Sequence, residues 1–383
     1  MIQINKLSRT NLNDDYLHSF LISLLRALAA LEVALAHLRA QLYPGYGTIA
    51  APTVAFQGVA FFTGFAHQAV VVFFLLSGWL VGGSLLNKSG RAGAFRDYAI
   101  DRVTRLWIVL IPVFVLTLGV GMVTAKIDPG ALSFVPGNEY SATAFLGNLA
   151  GLQKIAVPTF GGNFPLWSLS NESWYYILFP LLVITLGSSS TQSRVSALMA
   201  ALSLTWLLPG PLMLYFSIWL LGVAGSRIDI RTTPTVRAIL FLVFAGVAVY
   251  FRVHDKNPDM NYQSFPHDLL FSVAFIVFLA STQVRLTPGR VVAKLKGVAK
   301  HFADFSFTLY VIHVPLITVV TALVPYLAHN KVVPNDPIHL LSFLGIYVAI
   351  VIAAYYFHRP FEANTGRLRA YLKSTSVPVR SSV

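Results

Sequence analysis

Long apolar runs separated by short polar connectors dominate the sequence. A helix needs about 20 residues to cross about 30 Å of hydrocarbon. Ten segments approach this length: 17–42, 67–87, 106–125, 166–187, 195–208, 211–225, 236–253, 268–284, 304–325 and 338–357. The fifth and sixth are short and meet at Leu208-Pro209-Gly210-Pro211, so a tight hairpin and one broken helix are both compatible with them. The pattern predicts an all-α membrane bundle of about ten transmembrane helices.

The composition agrees with a polytopic membrane protein. Hydrophobic residues make up 56% of the chain and charged residues 11%, with a mean hydropathy of +0.67, far from soluble averages. If the N-terminus is cytoplasmic, 21 of the 28 Lys and Arg residues fall on the cytoplasmic side, which predicts two cytoplasmic termini. The net charge of +13 therefore reflects topology, and we expect no nucleic-acid partner. The absence of Cys excludes disulfides, thiolate metal ligands and a Cys nucleophile.

We expect residues 1–373 to form a single transmembrane domain, with 374–383 as a short polar cytoplasmic tail.

Two connectors are longer than simple turns. Residues 88–105 mix Arg with aromatic and apolar residues, which predicts an interfacial amphipathic helix. The outer loop 126–165 is rich in Gly and Pro, and a loop of this length is expected to fold back on the bundle.

The first apolar segment carries Arg26, Glu32 and His37. Eleven helical residues rotate about 1,100°, about 20° beyond three turns, so Arg26 and His37 share one face. Glu32 points away from that face, towards another helix. An ionised residue at mid-membrane costs about 2.5–3.5 kcal/mol, so the shared face is expected to line a protein or water-filled interior. A purely structural ion pair or interhelical hydrogen bond is the alternative.

Two further stretches hold charged residues near the membrane. In the stretch WSLSNESWYY at 167–176, Trp167 is typical of an interfacial aromatic belt. Glu172 lies deeper, needs a partner, and has Tyr176 one turn further on the same face. Arg102 and Arg105 stand three residues apart and suit bidentate recognition of phosphates. Anchors beside anionic headgroups would have the same sequence pattern.

Two other apolar stretches allow a structural explanation. Gly78 and Gly82 are spaced four apart, which close helix packing explains without catalysis. His313 lies mid-span, where a core histidine and a functional histidine are equally compatible with the pattern.

Five motifs in order resemble the acyltransferase-3 family of integral membrane O-acyltransferases over nearly the whole chain. They are the Arg-x10-His of the first span, FFxLSG at 73–78, Arg-x-x-Arg at 102–105, WSLSxE at 167–172 and an SxxxYxxHxP-like run from Ser306 to Pro315. The resemblance implies a ten-span enzyme that moves an acyl group, most often acetyl, from cytoplasmic acyl-CoA to a carbohydrate hydroxyl at the outer face. Val71, Ser173 and His358 stand where the family pattern often has an acidic residue.

The resemblance and the residues together imply one mechanism. His37 would act as general base, because neutral imidazole has a pKa near 6.5, and Glu172 would fix its tautomer. Arg102 and Arg105 would hold the phosphates of CoA, with Arg26 along the path of the thioester. Further candidates in the matching motifs are Ser77, Trp167, Ser170, Tyr176, Tyr310 and His313.

The expected surroundings follow from that mechanism. No permanently bound cofactor and no metal are expected; acyl-CoA, with acetyl-CoA as the first choice, is expected as the donor substrate. The expected partners are a carbohydrate acceptor, the lipid bilayer and polysaccharide-biosynthesis proteins, and the expected location is the bacterial cytoplasmic (inner) membrane. The alternative is a transporter or flippase for a carbohydrate or lipid-linked substrate, because ionisable residues inside a membrane also mark transport pathways.

Overall fold

A computed structural model describes residues 2–127, 139–254, 259–324 and 332–375. Most of these residues are helical. In chain order the α-helices are Leu17–Leu42 (α1), Val54–Phe62 (α2), Ala66–Ser77 (α3), Gly83–Lys88 (α4), Ala94–Ile127 (α5), Ala142–Leu149 (α6), Leu166–Gly187 (α7), Thr191–Leu207 (α8), Gly210–Gly225 (α9), Pro234–His254 (α10), Phe265–Ala280 (α11), Arg290–Asp304 (α12), Ser306–Leu323 (α13), Pro337–His358 (α14) and Thr365–Thr375 (α15). A π-helical turn over Gly78–Gly82 joins α3 to α4.

Six helical stretches are long and apolar enough to cross a membrane by length and composition. They are Leu17–Thr48, Val54–Lys88, Ala94–Thr124, Pro234–His254, Ser306–Leu323 and Pro337–Thr375. Gly210–Gly225 and Phe265–Ala280 are shorter apolar helices. Each of the ten predicted segments overlaps a helical stretch among the described residues, and the bounds of α1 are those predicted. The number of ten spans and the cytoplasmic placement of both termini stay predictions.

Two predicted boundaries are resolved by the structure. Helices α8 and α9 are separate, because Leu208 has an extended backbone and Pro209 precedes the first turn of α9. The prediction of an interfacial helix over 88–105 distinct from the following span was wrong in part. Residues from Ala94 onward continue without interruption into the apolar part of α5, so Arg102 and Arg105 stand on the same helix as the span.

A small sheet departs from the all-α prediction. Strand β1 (Gln3–Lys6) pairs antiparallel with β2 (Ile228–Arg231), with Ile4 opposite Ile230. The pairing fixes the polar N-terminal segment beside the end of α9. The architecture is therefore a mainly helical bundle with one two-stranded sheet.

Helix α12 is an amphipathic helix that the hydropathy pattern did not predict. Ala299 and Ala303 are buried, whereas Val291, Leu295 and Val298 are exposed on a helix that also carries several lysines. Such a helix is typical of a membrane interface rather than of a span.

Close approach of α3 and the π-turn to α9 confirms the structural explanation for the glycines at 78 and 82. A Cβ on Gly78 would lie 2.0 Å from the backbone oxygen of Trp219, and one on Gly222 would lie 2.1 Å from that of Leu75. A Cβ on Gly82 would lie 2.4 Å from Val223. Only a hydrogen side chain allows these backbones to pack at this distance.

Gly78→Ala is expected to lower the free energy of unfolding by about 1–3 kcal/mol, because backbone atoms of α9 must move to admit the methyl group. Gly246→Ala in α10 is the matched control, since a Cβ there meets nothing within 4 Å and alanine favours a helix interior. Thermal unfolding in detergent measures both variants. Equal midpoints for the two variants would contradict the packing argument.

Candidate active site

A cavity of about 470 Å³ lies between α1, α3, α5, α7 and α13. Its lining also includes Asn11, Leu12 and Asp14 of the N-terminal segment. Seven of the candidate residues line it: Ser77, Arg26, Arg102, Arg105, Glu172, Tyr176 and Tyr310. His37, His313, Trp167 and Ser170 are not in its lining. The structure thus brings the three arginines of two motifs into one space and leaves the histidines outside it.

Arg102 has a buried donor without a hydrogen-bond partner among the described residues. This donor is its Nε. The guanidinium lies 5.8 Å from the ring centroid of Tyr98 and 5.5 Å from that of Tyr176. Two aromatic faces hold the cation by cation–π attraction while the fork of N–H donors stays available to an anion.

Arg105, by contrast, is held by a carboxylate that the sequence analysis missed. Its Nη2 lies 3.1 Å from Oε1 of Glu362, which is 4% exposed. The other carboxylate oxygen, Oε2, accepts from the backbone N–H of Thr308 at 3.0 Å and from its hydroxyl at 2.7 Å. His358 Nδ1 stands 3.4 Å from the same oxygen.

Although His358 stands where the family pattern often has an acidic residue, a buried carboxylate is present four residues later, at Glu362. The signal was present in the run His-Arg-Pro-Phe-Glu at 358–362. Glu362 follows Pro360, whereas the family pattern has its acidic residue before the proline. Glu362 ties the short 3₁₀ turn Glu362–Asn364 to both α5 and α13.

Glu362→Leu is expected to lower the free energy of unfolding by about 1–3 kcal/mol, because the buried Thr308 hydroxyl loses its acceptor and Arg105 loses its counter-charge. Asp97→Leu is a suitable control, since its ion pair with Arg96 is exposed. Unfolding in detergent, followed by circular dichroism, measures the two losses. A loss in Asp97→Leu as large as in Glu362→Leu would contradict the argument.

Arg26 and His37 both face α13. Arg26 Nη2 lies 3.4 Å from the carbonyl oxygen of Ala303 and 3.4 Å from Ser306 Oγ. His37 Nδ1 lies 2.8 Å from His313 Nε2. The predicted shared face of α1 is thus confirmed. Because the earlier residue of α1 meets the start of α13 and the later one meets its middle, the two helices run parallel, as the first and ninth of alternating spans would.

Glu172 is hydrogen-bonded to Tyr176 and not to His37. The Tyr176 hydroxyl donates to Glu172 Oε1 at 2.5 Å, which confirms the predicted one-turn pair. Glu172 lines the cavity with the arginines, whereas His37 is hydrogen-bonded to His313. The prediction that Glu172 fixes the tautomer of His37 was wrong because similar depth in the membrane does not fix the direction in which a side chain points around its helix.

Tyr310 stands between the cavity and the histidines. It lines the cavity, and its ring centroid lies 6.0 Å from that of His313. Its hydroxyl is 2.6 Å from Ser168 Oγ and donates to the Pro165 carbonyl at 2.9 Å. These bonds hold the Tyr310 side chain against Ser168 and Pro165 at the cavity wall.

The described part of the predicted outer loop folds back on the bundle, as expected; residues 128–138 of that loop lie outside the described residues. Pro315 has no N–H to donate to the Val311 carbonyl one turn earlier in α13. The Asn163 side chain, which is fully buried, donates to that carbonyl at 2.7 Å. Gly161 turns the loop at φ +57, and a Cβ there would lie 2.2 Å from Thr117. Phe164, the residue after Asn163, contacts the His37 ring edge-on, with 4.8 Å between the ring centroids.

A family model described as an acyltransferase domain matches residues 21–359 of the 383-residue chain. The chain belongs to the acyltransferase-3 family. No curated protein and no solved structure gives a significant match. The matched residues include all the candidate positions from Arg26 to His313, so the arrangement described above is that of a membrane acyltransferase.

The remaining candidates in this acyltransferase-3 protein have structural partners. Ser170 Oγ donates to the Gly151 carbonyl at 2.6 Å, and Trp174 Nε1 donates to the same oxygen at 3.0 Å. Both side chains therefore hold the outer loop on α7. Trp167 packs edge-on against Phe74. Ser77 accepts from Trp219 Nε1 at 3.1 Å, where α3 passes into the π-turn.

Glu32, which the sequence left without a role in the acyltransferase, supports the start of α3. One of its carboxylate oxygens accepts from the backbone N–H of Phe65 at 2.8 Å. A carboxylate is favoured there because the first N–H groups of a helix have no intrahelical acceptor. Glu32 thus faces another helix, as predicted, and its role is to anchor α3.

Proposed function

We propose that the protein transfers an acyl group, with acetyl as the first choice, from acyl-CoA to a hydroxyl of a cell-surface or exported carbohydrate. The observation that carries the proposal is the cavity lined by Arg26, Arg102 and Arg105, whose lining also includes Tyr310, a neighbour of the His37–His313 pair. Family membership supports acyl transfer in general. The donor, the acceptor and the residue roles are our proposal.

The choice of acyl-CoA as donor is supported by the positive charge and the volume of the cavity. Three guanidinium groups in one cavity would be costly without an anion, and carboxylates in the same region do not use up all their donors. The phosphates of CoA are anions that arginine binds in bidentate fashion. The pantetheine arm is long and thin, and would run past Arg26 towards Tyr310.

The chemical step rests on His37. Its imidazole would take the proton of the acceptor hydroxyl while that oxygen attacks the thioester carbonyl. The C–S bond then breaks, and the departing CoA thiolate takes the proton back from the imidazolium. No acyl-enzyme bond is needed in this direct transfer. A neutral histidine in a partly buried position suits this work, because it accepts and returns a proton without a stable charge in the membrane.

Donor and base meet only if the Tyr310 side chain moves. Its bonds to Ser168 and to the Pro165 carbonyl hold it at the cavity wall, and the histidines do not line the cavity. A thioester that enters the cavity would displace the Tyr310 ring and reach His37. Closure in the absence of donor would keep water and ions from passing between the two sides of the membrane.

The acceptor would approach from the side of the outer loop. Phe164 is 44% exposed and covers the His37 ring. A flat apolar ring beside the base suits the C–H face of a sugar, whose hydroxyls then point towards the imidazole. This arrangement supports a carbohydrate acceptor, and with it the proposed setting in a bacterial cytoplasmic membrane beside polysaccharide-biosynthesis proteins.

The test is a vesicle assay. Inverted membrane vesicles from cells that produce the protein receive acetyl-CoA labelled in the acetyl group, and label is then counted in carbohydrate and glycolipid after CoA and protein are removed. Covalent label above that of vesicles lacking the protein supports the proposal. Vesicles that move labelled sugar or lipid-linked sugar but acquire no acetyl label would instead establish the transporter or flippase.

A further inference from the structure

The hydrogen bond between His37 and His313 has a direction that the neighbouring carbonyl decides. His313 Nδ1 lies 3.2 Å from the backbone oxygen of Leu309, one turn earlier in α13. A carbonyl oxygen only accepts, so Nδ1 of His313 carries the hydrogen. In a neutral ring the other nitrogen, Nε2, is then an acceptor. The hydrogen between the two rings therefore belongs to Nδ1 of His37.

As a consequence, Nε2 of a neutral His37 carries no hydrogen. With the hydrogen on Nδ1 committed to His313, the Nε2 lone pair of a neutral His37 is free to accept a proton. The two ring planes are 20° apart, so the Nδ1–H of His37 lies close to the plane of the accepting ring. His37 is partly exposed whereas His313 is fully buried, so the basic nitrogen is on the accessible ring.

The opposite arrangement would need a charged ring in an unsuitable place. If His313 donated from both nitrogens it would be a cation at a fully buried position. Its hydrogen-bond contacts among the described residues are the backbone carbonyls of Leu309 and Tyr310 and the His37 ring, and none of these is a carboxylate. An uncompensated buried charge is costly, so the neutral chain from His37 through His313 to Leu309 is favoured.

We propose that His313 is a positioning residue that holds His37 in the tautomer with Nε2 as the general base. The inference rests on the proposed function and deepens it, since it names the nitrogen that works and the residue that exposes it. When His37 takes a proton, its Nδ1–H bond to His313 becomes charge-assisted and stronger. A neutral imidazole thus does the work that a carboxylate does in hydrolase triads, without a fixed negative charge inside the membrane.

Two variants of His313 separate this role from simple packing. In His313→Gln, the amide oxygen can accept from His37 Nδ1 while the amide nitrogen donates to Leu309. In His313→Leu, the volume stays similar but no acceptor remains, so His37 is free to adopt either tautomer. In the vesicle assay, His313→Leu is expected to lose about 10²–10⁴-fold in kcat with the KM for acetyl-CoA unchanged. His313→Gln is expected to retain much more activity than His313→Leu.

A double variant provides a second readout. Because the two histidines act as one unit, His37→Ala combined with His313→Leu is expected to be no slower than His37→Ala alone. A residue that only supports the fold would add its own loss. This comparison stays informative if His313→Leu is produced poorly, because His313→Asn, with its shorter side chain, withdraws the acceptor from His37 and can replace it in both tests.

The outcomes distinguish this inference from the proposed function. If the unmodified protein transfers no label, the proposed function fails and this inference fails with it. If it transfers label and His37→Ala lowers the rate, but His313→Leu equals the unmodified protein or His313→Gln loses as much as His313→Leu, only the inference fails. A rise in KM without a fall in kcat would likewise overturn it, because that pattern belongs to donor binding.

Discussion

His37→Ala is expected to reduce the rate of acetyl transfer in the vesicle assay by about 10²–10⁴-fold, the usual contribution of a general base. The KM for acetyl-CoA should stay close to that of the unmodified protein, because His37 does not line the arginine cavity. The initial rate of label incorporation at several acetyl-CoA concentrations measures both quantities. The effect should be on the chemical step alone.

His254→Ala is the control for that result. His254 is an exposed histidine at the end of α10, where its ring lies 4.4 Å from that of Tyr250. Its replacement should leave the rate unchanged. An undiminished rate in His37→Ala, or an equal loss in both variants, would show that His37 is not the base.

Arg102→Ala is expected to raise the KM for acetyl-CoA by about 10- to 100-fold, with a much smaller change in kcat. Hydrogen bonds to charged groups contribute about 1.5–3 kcal/mol, and each 1.4 kcal/mol is a factor of ten in binding. Arg102→Lys keeps the charge but loses the fork of donors. Its KM for acetyl-CoA should therefore lie between that of the unmodified protein and that of Arg102→Ala. The measurement is again the dependence of the rate on donor concentration.

A truncated donor supplies the control. The acetyl thioester of pantetheine lacks the phosphates of CoA, so Arg102→Ala and the unmodified protein should use it equally poorly. Arg96→Ala tests the charge alone, since Arg96 is on the same helix in an exposed pair with Asp97. A KM for acetyl-CoA that is unchanged in Arg102→Ala would remove the arginine from the donor site.

The structure also explains why Arg102 is expected to matter more for binding than Arg105, although the two looked equivalent in the sequence. The guanidinium of Arg105 is already paired with Glu362. Arg102 has an unsatisfied Nε between two tyrosine rings. A phosphate therefore gains a new partner at Arg102, while at Arg105 it must compete with a buried carboxylate.

Apolar periodicity predicted the helices well because it is a local property. The bounds of α1 and of α7 coincide with the predicted segments 17–42 and 166–187. The shared face of Arg26 and His37 followed from helix geometry alone, and both residues do meet α13. The pair Glu172 and Tyr176, one turn apart, was predictable for the same reason.

Contacts between distant segments were not predictable in this way. His37 and His313 are separated by 276 positions, and Arg105 and Glu362 by a comparable distance along the chain. Depth in the membrane can be read from a sequence, but rotation of one helix relative to another cannot, which is why Glu172 was assigned to the wrong partner. Strand β1 was missed because its partner β2 lies more than 220 residues away. Helix α12 was missed because only one of its faces is apolar.

The proline in α13 links the two sides of the candidate active site. By lacking an N–H, Pro315 leaves the Val311 carbonyl to Asn163, and the same two segments carry His313 and Phe164. In the proposed enzyme, the ring that covers His37 and the residue that supports His37 are consequently held together by the Asn163–Val311 hydrogen bond. If the proposed function holds, grafting the loop that carries Asn163 and Phe164 between homologous enzymes would transfer acceptor preference only when α13 is transferred with it.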